Sequence, residues 1–502
     1  MCKKSIVSLY PENTEFPVYC HDCWWSDKWD GRDSALDYDS SKPFFDQFAE
    51  LIKKVPRLAL NVITSTNSEY TNNSGDNKNC YLIFAAEQNE DCMYGRLIQH
   101  CKGSVDCAFL YDSELCYECL DCRGLYNSMY CERCQSSTDL CFCFDMRDSN
   151  NCLFCSGGRH MANSVFNKKV SKEEFLEKKR EIFSSHEKLE EAKKKFKELK
   201  GKSLVKYAYA TKCNDATGDY MFNCHEARRL FDASNAKACA YLADAEDPID
   251  TYDGNNIYYK PELCYDLMGI LQCYSVKHSS YVFYCNNIEY CDSSYNLANC
   301  FGCNGLKKGE YMILNKQYGK EEYEKIKSEI VESMKKEKTY GDFFPPRLSP
   351  FGYNETLAKE YFPMEEKEAE EKKFNWQKNA TGTYGKETIK EIPKTIEEVG
   401  ENALKEVFAC EECKKNFRLT KSELDFYKRM GIPLPHKDFE CRHHERMSER
   451  NPRKLWHRQC MCDKTGHPGH SGRKCGNEFE TSYSLDRPET VYCEECYQQE
   501  VS

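Results

Sequence analysis

The chain has 502 residues, enough for several domains, with 30% charged residues and a formal net charge of -11. That balance excludes nonspecific nucleic-acid binding by the whole surface, and the absence of a long apolar run excludes a helical membrane span. Thirty-three cysteines behind a start, MCKKSIVSLYPENTEFPVYC, with no signal-peptide core point to reduced thiols and metal thiolates in the cytoplasm rather than a disulfide framework.

Residues 1–34 are expected to form a small zinc ribbon on Cys2, Cys20 and Cys23. Three cysteines leave the fourth ligand to a segment lost before Met1, to His21, to water or to a second chain. The cluster Trp24, Trp25 and Trp29, with Asp22, Asp27 and Asp30, is read as packing of this ribbon on the next helix. In residues 35–66, Ser41-Lys42-Pro43 starts a helix whose apolar face is Phe44, Phe48, Leu51, Ile52 and Val55, and Pro56 stops it. Such a helix is expected to cap the open end of a repeat module.

Residues 67–200 keep a cysteine beat. Between Cys80 and Cys155, twelve of thirteen cysteines share one three-residue phase, with Cys141 out of step. Cys80, Cys101, Cys122 and Cys143 are also spaced by 21, the size of one rung in a parallel β-solenoid whose equivalent residues stack in columns. Small thiols suit such columns, and the CxxC pairs Cys116/Cys119, Cys131/Cys134 and Cys300/Cys303 follow automatically from the beat. The three-residue period itself has no complete explanation in the sequence, since a flat strand alternates by two. A charged helix from Ser171 to about Lys200, with Phe175, Ile182, Leu189 and Phe196 every seventh residue, closes the module.

Residues 201–340 repeat the plan. The stretch CLFCSGGRHMANSVFNKKVSKEEF from Cys152 matches CFGCNGLKKGEYMILNKQYGKEEY from Cys300 at a constant offset of 148, and Cys264-Tyr265, Cys273, Cys285, Cys291, Cys300 and Cys303 restore the beat. A second helix carries Tyr323, Ile326, Ile330 and Met334 and ends near Tyr340. Residues 341–403, rich in Pro, Glu and Lys, read as a linker with partial order.

Residues 404–502 hold paired knuckles: Cys410 with Cys413, then Cys441, Cys460, Cys462, Cys475, and Cys493 with Cys496. Two zinc sites of four ligands fit, because tetrahedral zinc takes paired thiolates from tight turns. At the first, Asp438, His436 or His443 completes the set; at the second, Cys460 and Cys462 compete for one position, with His467 and His470 as spare donors. Cys2, Cys20 and Cys23 have the spacing of Cys475, Cys493 and Cys496, so the two ends are related ribbons. The basic run Arg442, Arg446, Arg450, Arg453, Lys454 and Arg458, beside Trp456, is a candidate nucleic-acid surface, with a solvated face as the plain alternative.

The segment CEECKKNFRLTKSELDFYKRMGIPLPHKDFECRHHER resembles the treble-clef zinc domains of uncharacterised proteins. The order VYCHDCWWSDKWD, PFFDQF, cysteine coils ending in NKQYGKEEY, and DRPETVYCEECY is similar to a cysteine-rich family of small-genome uncultivated bacteria. The resemblance covers nearly the whole chain and implies zinc binding without an established activity. By its pattern Cys410, Cys413 and Cys441 are ligands, with Asp438 where the fourth cysteine belongs.

The expected fold is mainly β with helices: two cysteine-rich parallel β-solenoid modules with capping helices, flanked by small zinc-ribbon and treble-clef domains. The expected role is a zinc-binding repeat scaffold that mediates macromolecular, chiefly protein, interaction. The competing readings are a nucleic-acid-binding zinc protein acting through Arg442 to Arg458, and an enzyme or metal and redox protein using the central cysteines, with His225 beside Cys224 or His278 near Cys273 and Cys285 as the base. No phosphate-loop, HExxH, GxSxG or dinucleotide motif supports the enzyme reading, and GTYGKET from Gly382 lacks the phosphate-loop spacing.

Overall fold

The computed structural model describes residues 1–12, 14–234, 268–271, 281–378, 382–467, 470 and 473–501. Cys264, Tyr265, Cys273 and His278 lie outside the described residues. The fold is mixed α/β, with many parallel strands and a comparable share of helix.

The first ladder is a ten-stranded sheet whose strands follow one another in chain order from 62–63 to 168–169. Asn72 pairs with Phe84, Phe84 with Arg96 and Arg96 with Ala108, all in parallel, so each step advances twelve residues. The repeat that the register shows is therefore twelve residues and not the expected 21. An interval of 21 is one rung plus nine residues, which carries a cysteine from one interior column to a different one.

The backbone supplies the reason for the three-residue beat. Asn79, Leu82, Ala85, Gln88, Asp91 and Tyr94 all have φ near +50°, and the left-handed residue recurs every third position to Phe166. Each such residue bends the chain, so a twelve-residue rung bends four times. Asn, Asp and Gly tolerate this conformation best, and they precede the interior thiols in Asn79-Cys80, Asp91-Cys92, Asp106-Cys107, Asp121-Cys122 and Asn151-Cys152. The residue after each bend points inward. Cys80, Cys92, Cys107, Cys119, Cys131, Cys143 and Cys155 are all buried in one cluster, and the thiols donate to backbone carbonyls, as Cys107 does to Val105 at 3.3 Å and Cys119 to Ser128 at 3.5 Å. Cys141, one position off the beat, faces outward into the core beneath the closing helices.

The 148-residue duplication is visible in the closing elements. Ala162–Val165 turns back antiparallel on Lys168–Lys169, and Gly309–Ile313 does the same on Lys316–Gln317. At each turn a left-handed asparagine covers the free edge: Asn167 exchanges hydrogen bonds with the backbone of Ser156 at 3.0 and 2.8 Å, and Asn315 with that of Asn304 at 2.9 and 2.8 Å. The side-chain amide copies the next strand's peptide, which satisfies an edge otherwise open to pairing. The long closing helix expected after the first ladder is two helices, Lys172–Ile182 and His186–Gly201, because Ser185 caps a new start through the Lys188 amide. The second ladder is described in three sheets of parallel strands: Ala210–Thr211, Gly218–Phe222 and Leu230–Ser234; Met268–Leu271, Tyr281–Phe283 and Ser294–Tyr295; and Asn286–Glu289, Leu297–Phe301 and Gly309–Ile313, the last with its antiparallel end Lys316–Gln317. It closes on Lys320–Glu337.

The helix Phe44–Lys54 forms as its apolar face implies, but it does not cap the ladder that follows it. Phe44, Phe48, Leu51 and Val55 pack against Tyr290, Phe301, Leu314 and Tyr323 of the second ladder. Gly302 and Gly305, both at φ +64°, make room: a Cβ there would stand 2.6 Å from the Phe44 ring and 2.3 Å from Val55.

Both chain ends dock by one rule. Val18–Tyr19 pairs in parallel with Arg57–Leu58, and Val491–Tyr492 with Val205–Lys206, two strands that are themselves 148 residues apart. Trp24, which follows Cys23, meets Lys307 and Tyr295 of the second ladder; Tyr497, which follows Cys496, accepts a hydrogen bond from Arg159 of the first at 2.9 Å. Arg159 and Lys307 are 148 residues apart as well. Each end thus sits on the same place of a different ladder, the amino end on the second and the carboxyl end on the first.

Candidate metal centres

Three thiols meet at the amino end. Cys2, Cys20 and Cys23 bring their sulfurs within 4.8 Å of one another, with Cys20 and Cys23 placed by the strand Val18–Tyr19 and the helix His21–Trp25. Among the described residues no fourth donor joins them; His21 points to Asp22 at 3.9 Å.

The second group is Cys410, Cys413, Asp438 and Cys441. The hairpin Phe408–Ala409 with Asn416–Phe417 carries the first two thiols, and the helix Phe439–Ser448 carries the last. Asp438 caps that helix through one oxygen, which accepts from the amides of Glu440 and Cys441 at 2.9 and 3.2 Å; the other oxygen lies 2.9 Å from the Cys413 sulfur. Burial alone would raise the Asp438 carboxyl, but hydrogen bonds from Cys413, Cys410 and the Cys441 amide hold it below the usual carboxylate range. Burial and the neighbouring Asp438 push the Cys413 thiol up to about 11. A cation reverses that penalty by binding the thiolate. The two histidine alternatives are engaged elsewhere: His443 contacts Glu360 at 3.0 Å, and His436 contacts Glu411 at 2.6 Å.

His186, Glu411 and His436 also cluster. The two imidazoles are stacked 3.5 Å apart at 5°. The in-plane lone pairs lie in two near-parallel planes, which disfavours a shared ion, and the group is a ring contact between the second closing helix and the carboxyl-terminal region.

The carboxyl end holds two overlapping groups. Cys460, Cys475, Cys493 and Cys496, all buried, form one; Cys462, His467, His470 and Cys496 form the other. The hairpin Trp456–Gln459 with Glu478–Thr481 delivers Cys460 and Cys475, and the turn into the helix Glu494–Val501 delivers Cys493 and Cys496. Cys475 and Cys493 are 4.0 Å apart sulfur to sulfur, close to the ~3.8 Å edge of a zinc tetrahedron with 2.3 Å bonds. Burial pushes the Cys460 thiol up to about 11, whereas the Cys493 thiol, despite burial, is lowered by the Cys496 amide and Asn477.

The basic run is not a solvent-facing stripe. Arg442 donates to Asp106 at 2.9 Å, Arg446 to Glu118, and Arg450 holds Asp121 through two bonds of 2.9 and 3.0 Å while also reaching Asp232 of the second ladder. Arg453 donates to Asp232 at 2.7 Å, and Arg458 to the carbonyl of Ser484 at 2.9 Å. The guanidinium of Arg450 lies between the rings of Phe109 and Tyr220 at 3.7 and 3.9 Å. Arg442, Arg446, Arg450 and Arg458 are buried; Lys454 alone of the run is exposed, over Trp456. Helical spacing pointed to a face, but the ladder supplies a matching row of acids at its left-handed positions, and those acids draw the arginines inward. Asp106, Glu118 and Asp121, spaced by multiples of three, are the sequence signal for that partner row.

No protein-family model matches the chain, and no curated protein matches it.

Proposed function

We propose that the protein is a zinc-stapled β-solenoid scaffold that binds another protein along the uncovered faces of its first ladder. The coil reading rests on the twelve-residue register with a bend every third residue. The zinc reading rests on donor sets of thiolate, imidazole and carboxylate on tight turns, the chemistry of structural zinc in ribbon and treble-clef ends. The described cysteines are not joined in disulfides, which supports a reduced setting, and the cytoplasmic reading is part of the same proposal; no helix among the described residues is long and apolar enough to cross a membrane. Membership of the cysteine-rich family named above is part of the same proposal.

One observation carries the binding role. Two outer faces of the ladder are covered, one by the closing helices and the carboxyl-terminal region, the other by Tyr361, Met447 and the arginines. Among the described residues, the rest of the ladder presents regular exposed rows toward its first strands. Lys78, Glu90 and Lys102 form an in-register row of alternating sign, paired at 2.8 and 3.3 Å, followed by Glu114 and Tyr126; Asp76, Gln88, His100 and Asp112 form a second exposed row. Mixed signs suit a polar protein surface, whereas a polyanion calls for a single sign.

A photo-reactive residue at Lys102 or Tyr126, compared with one at Glu177 on a closing helix, tests this in producing cells. Discrete protein adducts from the ladder positions and none from Glu177 are expected. Adducts to nucleic acid alone, or identical patterns from all three positions, would sink the reading.

A further inference from the structure

The two donor groups at the carboxyl end share Cys496, and Cys460 and Cys462, separated only by Met461, belong one to each. The sequence treats these two cysteines as rivals for a single position. The geometry points to a dinuclear centre: we propose that two zinc ions bind side by side, one held by Cys460, Cys475, Cys493 and Cys496, the other by Cys462, His467, His470 and Cys496, with the Cys496 thiolate bridging them. The inference rests on the zinc reading above.

Three features support it. The nitrogen to sulfur approaches in the second group, 3.2 Å for His467 Nδ1 to Cys462 and 3.3 Å for His470 Nε2 to Cys496, are near the ~3.5 Å edge expected between a 2.0 Å nitrogen and a 2.3 Å sulfur ligand of tetrahedral zinc. Each imidazole has an acceptor on its other nitrogen: Glu500 at 3.1 Å from His467 Nε2, and the Arg473 carbonyl at 2.8 Å from His470 Nδ1. That arrangement puts the proton on the outer nitrogen and turns a bare lone pair toward sulfur, the usual support of a zinc-bound histidine. Finally, Cys462 and His467 are buried, so without an ion a thiol and an imidazole lone pair would face each other inside the protein with one proton between them.

The charges also fit. A single ion on four thiolates leaves the fifth cysteine and both histidines without a task; two divalent ions against five thiolates leave one net negative charge. Nitrogen and sulfur donors in tetrahedral sets select zinc over harder cations.

Native mass spectrometry of the full chain, purified reduced, reads the ion count on folded protein. H467Q/H470Q is expected to lose one zinc relative to the unaltered chain, C496S to lose two, and H467C/H470C, which replaces imidazole by thiolate, to keep the full count. An H467Q/H470Q chain with an unchanged count, or a C496S chain short by only one, overturns the dinuclear centre. C475S separates the two levels of argument: if it leaves the count unchanged, the zinc reading of this end has itself failed, whereas a drop with C475S and none with H467Q/H470Q removes only the second ion.

Discussion

Arg442 and Asp106 meet across 336 positions of sequence, guanidinium Nε to carboxylate Oδ2 at 2.9 Å, with side-chain exposures of 5% and 0%. The pair fastens the helix that carries Cys441 to a bend of the first ladder. Glu423, whose side chain closes the capping box of the helix Lys421–Met430, lies 3.5 Å from the same guanidinium and accepts from the hydroxyls of Tyr94 and Tyr427 at 2.7 and 3.0 Å. The Cys410, Cys413, Asp438 and Cys441 group and the ladder are therefore coupled through one buried polar network.

Asp106→Asn keeps a residue that tolerates the left-handed backbone and removes only the charge. It takes the nearest carboxylate from Arg442, which is left with Glu423 at 3.5 Å, and a second carboxylate at 3.6 Å from Arg446, which is left with Glu118. Breaking a buried pair from one side costs about 3–5 kcal/mol when the charge is left uncompensated, and with Glu423 and Glu118 still in place urea unfolding should show a loss of up to about 3 kcal/mol. A change under about 1 kcal/mol would mean the arginines are solvated.

The triple variant R446E/R450E/R453E serves as a test of the basic run. With Arg446 and Arg450 buried on carboxylates, reversal places like charges face to face in the interior. The expected outcome is loss of the folded chain, seen by circular dichroism, rather than selective loss of nucleic-acid binding. A folded triple variant with an unchanged melting temperature would restore the surface reading.

The edge-covering asparagines make a graded prediction. Asn315→Gly keeps φ accessible and deletes the two bonds to Asn304 and the one to Gly31 at 2.9 Å, a loss of about 2 kcal/mol. Asn315→Ala adds the cost of a left-handed β-carbon, about 1 kcal/mol more. Equal unfolding midpoints for the two variants would show that the backbone conformation contributes nothing there.

Chelation should separate the two populations of cysteine. The eleven cysteines of the convergent groups are expected to react with a thiol reagent once metal is withdrawn, while the ladder thiols stay protected as long as the coil is folded. Simultaneous exposure of all thiols would show that the ladder depends on the metal ends.

Acid should weaken the docking of the segment 353–361. Burial would raise the Glu360 carboxyl, but His443 at 3.0 Å and Arg96 at 2.5 Å bring it down to about 2. A depressed carboxylate contributes stability that is complete above its unfolded value near 4.5 and is lost as pH falls toward 2. The part due to this group is on the order of 3 kcal/mol, and Glu360→Gln should flatten the stability profile over that window. An identical acid limb in the variant removes the assignment.

Much of this protein is written locally. A left-handed bend favours Asn, Asp or Gly, an interior column favours small apolar side chains, and the inward positions recur every three residues, so the beat, the duplication and the closing helices are legible in the chain. The Cys-x-x-Cys knuckles are equally local, because two ligands on one turn need no distant partner to be recognised. Repeat length is different: a beat of three is compatible with repeats of several lengths, and only the hydrogen-bond register from Asn72 to Phe84 selects twelve. The same holds for every choice between alternative partners. Asp438 rather than His436 faces Cys413, the arginines turn to acids more than two hundred residues away, the helix Phe44–Lys54 packs on the second ladder and not the first, and His467 and His470 converge with Cys462. Each is a competition between groups equally able to bond, decided by which of them the assembled backbone brings within a few ångströms.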